Sequence, residues 1–182
     1  DNIDLEATMK DGSRIIGEST IQKNLSGIEK IDLTPKNAYS NPKSIEIIRN
    51  SDYIIIGPGS LYTSIIPNFL VNGIVEAIHE SNAKKILVCN VATQLSETDN
   101  FNATDHFYEI QKYTQNLKID YFIVNNKLDE LGDNFHTSSV VEMGDLSNLS
   151  TNVIKNNLMN DNFKGHHDSD KLSNEIMKII EK

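Results

Sequence analysis

Three apolar runs separated by helical periodicity constrain this chain more than anything else in its sequence. Tyr53-Ile54-Ile55-Ile56 stops at Gly57, Ile86-Leu87-Val88-Cys89-Asn90-Val91 leads into a polar loop over 92–100, and a third run extends from Ile119 to Asn125. Between the first two, Leu70, Ile74, Ala77 and Ile78 mark one face of a helix expected to end near Ser81-Asn82. Between the second and third, Ala103, Phe107 and Ile110 mark another, with Asn102 placed to cap it. Unbroken apolar runs of this length suit strands covered on both faces. A strand, helix, strand, helix, strand order requires right-handed crossovers, so the expected fold is α/β: a parallel sheet with helices on both faces.

The flanks add detail. Lys10-Asp11-Gly12 between β-like stretches (Asp4 to Met9, Ser13 to Gln22) predicts a hairpin, and Ile28 to Leu33 a further strand ending at Pro35. Residues 1–41 are therefore read as a β-hairpin appendage of the same domain and 42–182 as the α/β core, whose first helix starts at Pro42 with Asn41 as its cap. After Lys127 the pattern weakens to a strand over 139–143 and a helix over 148–159. A final helix carries Leu172, Ile176, Ile179 and Ile180 on one face, capped by Asp168 or Ser169.

A chain of 182 residues is long enough for one such domain. Its 17 Lys plus Arg against 26 Asp plus Glu give a net charge of −9, which repels a phosphate backbone and excludes nucleic acid as the expected partner. The longest mostly apolar stretch, 53–75, is interrupted by Gly57, Pro58, Gly59, Pro67, Asn68, Asn72 and Gly73, so no membrane span is expected. Cys89 is the lone cysteine and forms no internal disulfide, which suits the cytoplasm; it reads as a small buried residue on a strand. Only two arginines, Arg14 and Arg49, are present, so backbone amides or lysines must do most anion binding.

Open α/β sheets bind ligands beyond the carboxyl ends of their strands. Here those ends are Gly57-Pro58-Gly59-Ser60, residues 90–100 and Asn125-Asn126. Glycines in the first loop bring bare amides to an anion, a following helix start adds a positive dipole end, and Ser60, Thr63 and Ser64 add hydroxyls. The same residues also suit a plain strand-to-helix turn. In the second loop, Asn90, Thr93, Gln94, Glu97, Thr98 and Asp99 form a dense polar set that could read a sugar or base, and a carboxylate there could hold Mg²⁺ on a pyrophosphate. A solvated loop with capping residues is the other reading. His106, beside Asp105, reads as a surface residue on its helix. His166-His167-Asp168 lacks a third ligand at zinc spacing and reads as a ligand-facing histidine plus a helix cap. No nucleophile declares itself, because Cys89 is expected to be buried and Ser60 has no identifiable base.

The run Ser51-Asp52-Tyr53-Ile54-Ile55-Ile56-Gly57-Pro58-Gly59-Ser60-Leu61-Tyr62-Thr63-Ser64-Ile65-Ile66-Pro67-Asn68, together with Cys89-Asn90-Val91-Ala92-Thr93-Gln94 and Glu97-Thr98-Asp99, resembles the YvcK branch of the CofD-like family. The resemblance implies a Rossmann-like α/β fold and a cytoplasmic location; a homo-oligomer is also expected. It also implies binding of a nucleotide sugar of the UDP-N-acetylglucosamine type, in support of cell shape and wall synthesis during gluconeogenic growth. The CofD branch instead implies a Mg²⁺-using 2-phospho-L-lactate transferase; of its motif, Gly57, Pro58, Thr63, Ser64, Ile65 and Pro67 match here. No counterpart of the family's GGGTG phosphate loop precedes Asp1, so the chain is expected to be a C-terminal portion of a longer protein. Ser96 stands where the branch has Gly, and the branch's Arg-His pair before the last helix is replaced by His166-His167, which carries a pyrophosphate-binding role to His166.

Overall fold

The computed structural model describes residues 3–131 and 138–181 and contains two sheets. The smaller is antiparallel, in the order β2-β1-β3, from β1 Asp4–Met9, β2 Arg14–Ile16 and β3 Ile28–Thr34. Its first hairpin is the expected one, closed by Met9 N donating to Ser13 O at 2.8 Å and Gly12 N to Met9 O at 2.9 Å. The second strand does not continue to Gln22. Gly17 takes φ +95°, the chain turns, and a short helix α1 (Glu18–Ile21) carries Ile21 into the core at 1% exposure.

The larger sheet is parallel, in the order β4-β5-β6-β7, from β4 Tyr53–Ile56, β5 Lys84–Val88, β6 Tyr121–Asn125 and β7 Asn152–Asn156. The helices are α2 Pro42–Arg49, α3 Ile66–Phe69, α4 Ile74–Glu80, α5 Ala103–Tyr113 and α6 Ser169–Ile180. Caps form where expected: Asn41 accepts from Lys43 N, Asn102 and Asp105 make a reciprocal capping box, and Asp168 accepts from Asp170 N and Lys171 N.

Three expectations are corrected. Residues 148–159 form no helix, because Asn152–Asn156 pairs in register with β6, from Tyr121↔Asn152 to Asn125↔Asn156. Residues 139–143 form no strand; they run beside 90–93 through a single bridge, Ala92↔Val140. The helix expected from Leu70 begins only at Ile74, since Gly73 at φ +91° interrupts the path.

The strands alternate their side chains between two faces. Leu87, Phe122 and Val124 share one core with Ala103, Phe107 and Ile110 of α5 and with Leu5, Ala7, Met9 and Ile31 of the small sheet. On the opposite face, Ile86, Val88 and Ile123 pack with Leu172, Ile176 and Ile179 of α6. Each fully buried side chain of this size contributes about 1.5–3 kcal/mol, so both sheets are fixed against one scaffold. Strand β4 is the outer edge, where Ile55 is 46% exposed. Among the described residues no helix is long and apolar enough to cross a membrane.

Candidate functional site

The site begins where β4 ends. Gly57 takes φ +81°, and a Cβ there would lie 3.0 Å from the Val88 carbonyl and 3.2 Å from Ile65 Cδ1, so both the turn and the close passage over β5 require glycine. Gly59 differs: its φ is not positive, and an added Cβ would meet Ser64 Cβ and Ile65 Cγ1 at ordinary distances of 3.5 and 3.6 Å. Beyond Ser60 the chain forms a π turn, Leu61–Ile65, in which the amides of Ser64 and Ile65 both donate to Ser60 O at 2.9 Å. Such widened turns concentrate at functional sites. This one faces Leu61, Tyr62, Thr63 and Ile65 inward and leaves Ser60 at the mouth.

The loop after β5 is tied to this turn. Gly59 N donates to Asn90 Oδ1 at 3.2 Å, Asn90 Nδ2 donates back to Gly59 O at 2.9 Å, and Gln94 Nε2 donates to Ser60 Oγ at 2.7 Å. Thr93 is braced by residue 139: its amide donates to Ser139 O at 2.8 Å and its Oγ1 accepts from Ser139 N at 2.9 Å. The third wall comes from the segment before α6. There His167 Nε2 lies 3.1 Å from the Cys89 carbonyl, and because a carbonyl can only accept, that nitrogen carries the proton. Burial holds the His167 imidazole below its usual pKa.

These segments enclose a cavity of about 360 Å³ lined by Pro58, Gly59, Ser60, residues 90–94, Ser138 and residues 165–167. Among the described lining residues there is no lysine, arginine or carboxylate; amides, hydroxyls and two imidazoles supply their polar groups. Lysines close to this wall are engaged elsewhere. Lys127 and Lys171 each reach Asp161 at 2.9 Å, Lys171 also donates to Met159 O, and Asp161 is held down at about 2 by the two ammonium groups.

Of the residues expected to contact ligand, the fold brings together Pro58, Gly59, Ser60, Asn90, Thr93, Gln94 and His166 around this cavity. Gly57 and Ser64 line a neighbouring groove along β4. Thr63, Glu97, Thr98 and Asp99 lie behind the wall. Buried Glu97 accepts from Tyr62 N at 3.3 Å and Thr63 Oγ1 at 3.1 Å, Thr98 Oγ1 accepts from Gln94 N at 2.9 Å, and Asp99 Oδ2 accepts from Ser96 N at 2.7 Å. Their polar atoms hold loop backbone, and burial raises the Glu97 pKa. The Glu97 carboxylate and Asp99 Oδ2 are engaged by these donors, and no group of three or more His, Cys, Asp or Glu suited to a metal occurs among the described residues.

His106 corrects its sequence reading as well: it is buried at 4% exposure, edge-on to Phe101. The signal was available, since position 106 lies three residues after Ala103 and four before Ile110, on the apolar stripe of α5. Ser138 was missed because no periodicity marks the stretch that crosses beside residues 90–93.

The family model described as 2-phospho-L-lactate transferase CofD matches residues 1–178. The chain belongs to the CofD family. Among its relatives, this CofD-family chain is 35% identical to a putative gluconeogenesis factor of Clostridium acetobutylicum, over 99% of the chain and 42% of the relative. It is likewise 35% identical to the gluconeogenesis factor of Bacillus subtilis, over 97% of the chain and 58% of the relative. The crystal structure of a UPF0052 family member from Bacillus halodurans superposes with a TM-score of 0.86 at 35% identity, covering 97% of this chain and 59% of that one. The chain thus spans about half the length of the relatives it matches.

Proposed function

We propose that the cavity between the Gly57–Ser60 turn and the Asn90–Gln94 loop is part of a site for a nucleotide sugar of the UDP-N-acetylglucosamine type, and that the chain acts by binding it and not by turning it over. The observation that carries this reading is the lining itself. Ser60 and Thr93 hydroxyls, the imidazoles at 166–167 and the second N–H groups of the Asn90 and Gln94 side-chain amides lie at the carboxyl edge of a parallel sheet, where such sheets take nucleotides. A diphosphate can be held there by N–H and O–H donors without a fixed cation. Relatives named gluconeogenesis factor support a regulatory role in gluconeogenic growth, and the reading extends to cell shape and wall synthesis in the cytoplasm.

The lining supports binding without turnover for a chemical reason. Covalent chemistry needs an activated nucleophile with a positioned base. The Cys89 thiol is buried and pushed up to about 12, while Ser60 Oγ accepts a hydrogen bond from the Gln94 amide, which is no base. Calorimetric titration with UDP-N-acetylglucosamine, followed by mass spectrometry of the mixture, tests the reading. Binding with the ligand recovered intact is expected. Released nucleotide would favour a transferase like the one for which the family model is named, and no heat with any nucleotide sugar would overturn the assignment.

A further inference from the structure

Beneath the floor of the cavity lies a second, much smaller space. It has a volume of about 10 Å³ and is lined by Gly59, Asn90 and His106 together with apolar side chains such as Leu87, Ile110 and Phe122. One water needs about this much room, and it stays only where polar atoms can hold it. Most of the lining is aliphatic or aromatic. The exceptions that matter are Gly59 and Asn90, which hold each other across the roof, and His106, which rises from α5 on the far side.

The imidazole of His106 is oriented by its other nitrogen. Nδ1 lies 2.9 Å from the Asn102 carbonyl, and since that oxygen only accepts, Nδ1 carries the proton and Nε2 is left as a bare acceptor. Nε2 is buried and finds no partner among the described protein groups. A buried acceptor without a donor is costly enough that native structures nearly always supply one.

We infer that this space is a hydration site for one ordered water, which donates to His106 Nε2 and links the histidine to the underside of the Gly59–Asn90 pair. His106 is then a positioning residue: it reaches the glycine turn through the water and touches no ligand. Burial also disfavours the imidazolium, which keeps Nε2 an acceptor at neutral pH. This inference stands on the fold of the chain and not on the identity of whatever occupies the larger cavity.

The test is nuclear magnetic resonance on the ligand-free protein, with three variants. In the wild type, ¹⁵N shifts should report a neutral His106 protonated at Nδ1, and a long-lived water should give cross-relaxation to the Gly59 amide or the Asn90 side-chain amide. His106→Gln places an acceptor near the former Nε2 and should keep the water signal and the Gly59 amide shift. His106→Asn keeps a group near Nδ1 but loses the distant acceptor, and His106→Phe loses both; each should lose the water signal and move the Gly59 amide. If Gln loses the signal while Asn retains it, or no water signal is seen in folded wild-type protein, the inference fails. Because no ligand is added, a negative result here is separate from failure of the nucleotide-sugar reading.

Discussion

Asn90 and Gly59 form a closed pair across the carboxyl edge of the sheet, each donating one hydrogen bond to the other, at 3.2 Å from the Gly59 amide and 2.9 Å from the Asn90 side chain. The pair ties the turn after β4 to the loop after β5, so the floor of the cavity depends on one side chain. Asn90→Ala should destabilise the protein by about 1–3 kcal/mol, the net worth of two hydrogen bonds. Asn90→Asp retains the acceptor for the Gly59 amide but sets a negative charge against the Gly59 carbonyl and into the cavity. It should lower affinity for an anionic ligand by about tenfold or more. Urea denaturation and calorimetry on both variants check this; equal ligand affinity in Asn90→Asp and wild type would remove the anion from the site.

The two glycines of the turn should respond differently. At Gly57 an alanine meets both a positive φ and a carbonyl at 3.0 Å, so Gly57→Ala is expected to cost about 2 kcal/mol or more. At Gly59 a methyl group finds ordinary contacts, so Gly59→Ala should change stability by less than about 1 kcal/mol. Chemical denaturation midpoints decide the order, and a Gly59→Ala loss as large as that of Gly57→Ala would contradict the turn geometry.

Ser96 stands in a left-handed conformation that glycine would adopt without strain. It adopts φ +66° and its hydroxyl is buried without a partner among the described residues. Relief of left-handed strain, about 1–2 kcal/mol, exceeds the entropy that glycine adds to the unfolded chain, about 0.4–1 kcal/mol. Ser96→Gly should therefore stabilise the protein by about 1 kcal/mol and raise Tm by roughly 2–4 °C. A lower Tm would show that the hydroxyl has a function in the fold.

Much of the architecture was legible because apolar runs and caps are local signals. Tyr53–Ile56, Ile86–Val88, Asn102 and Asp168 all act as their neighbours in sequence suggest. Strand β7 was not, since Asn152-Val153-Ile154-Lys155-Asn156 is short and polar at both ends and is set by its ladder to β6, a contact between distant segments. The polar residues of the second loop were legible as a cluster but not by direction. Glu97, Thr98 and Asp99 turn inward because the amides of Tyr62, Gln94 and Ser96 must find acceptors once the loop is packed. His106 was judged by its neighbour Asp105, whereas its helical face decides its burial.

One buried histidine, one half-buried histidine and one buried acid make opposite contributions to pH dependence. His106 and His167 have lowered pKa values, chiefly from burial, so the unfolded chain binds protons more readily than the folded one. Their contribution is present above the ordinary imidazole pKa and is lost as pH falls below it. Glu97 is raised by burial against the pull of Thr63 and Tyr62, so its contribution is present below the ordinary carboxyl range and is lost as pH climbs through its folded pKa. Stability should thus fall between pH 7 and 5 through the histidines, while the stability of Glu97→Gln relative to wild type should rise as pH increases above the carboxyl range. Urea titrations at several pH values separate the two, and a pH-independent difference between Glu97→Gln and wild type would mean that Glu97 titrates normally.

Strand β4 pairs with β5 on one side and with no strand on the other among the described residues, Ile55 is 46% exposed on it, and a groove of about 320 Å³ runs along it past Ile54, Ile56, Ile65 and Phe69. Such an edge favours association, which a charge opposes, so Ile55→Lys should shift the protein toward monomer in sedimentation velocity. The same geometry bears on affinity. The described cavity lining offers a diphosphate no lysine or arginine, and each charge-assisted contact absent from a cradle costs roughly 1.5–3 kcal/mol. Two such contacts correspond to about two to four powers of ten in Kd. The 182-residue chain should therefore bind UDP-N-acetylglucosamine weakly, with or without Mg²⁺. Tight binding by residues 1–182 in calorimetry would show that the amides around Gly59 and the imidazoles at 166–167 suffice, and a loss of that binding on chelation would return a metal to the site.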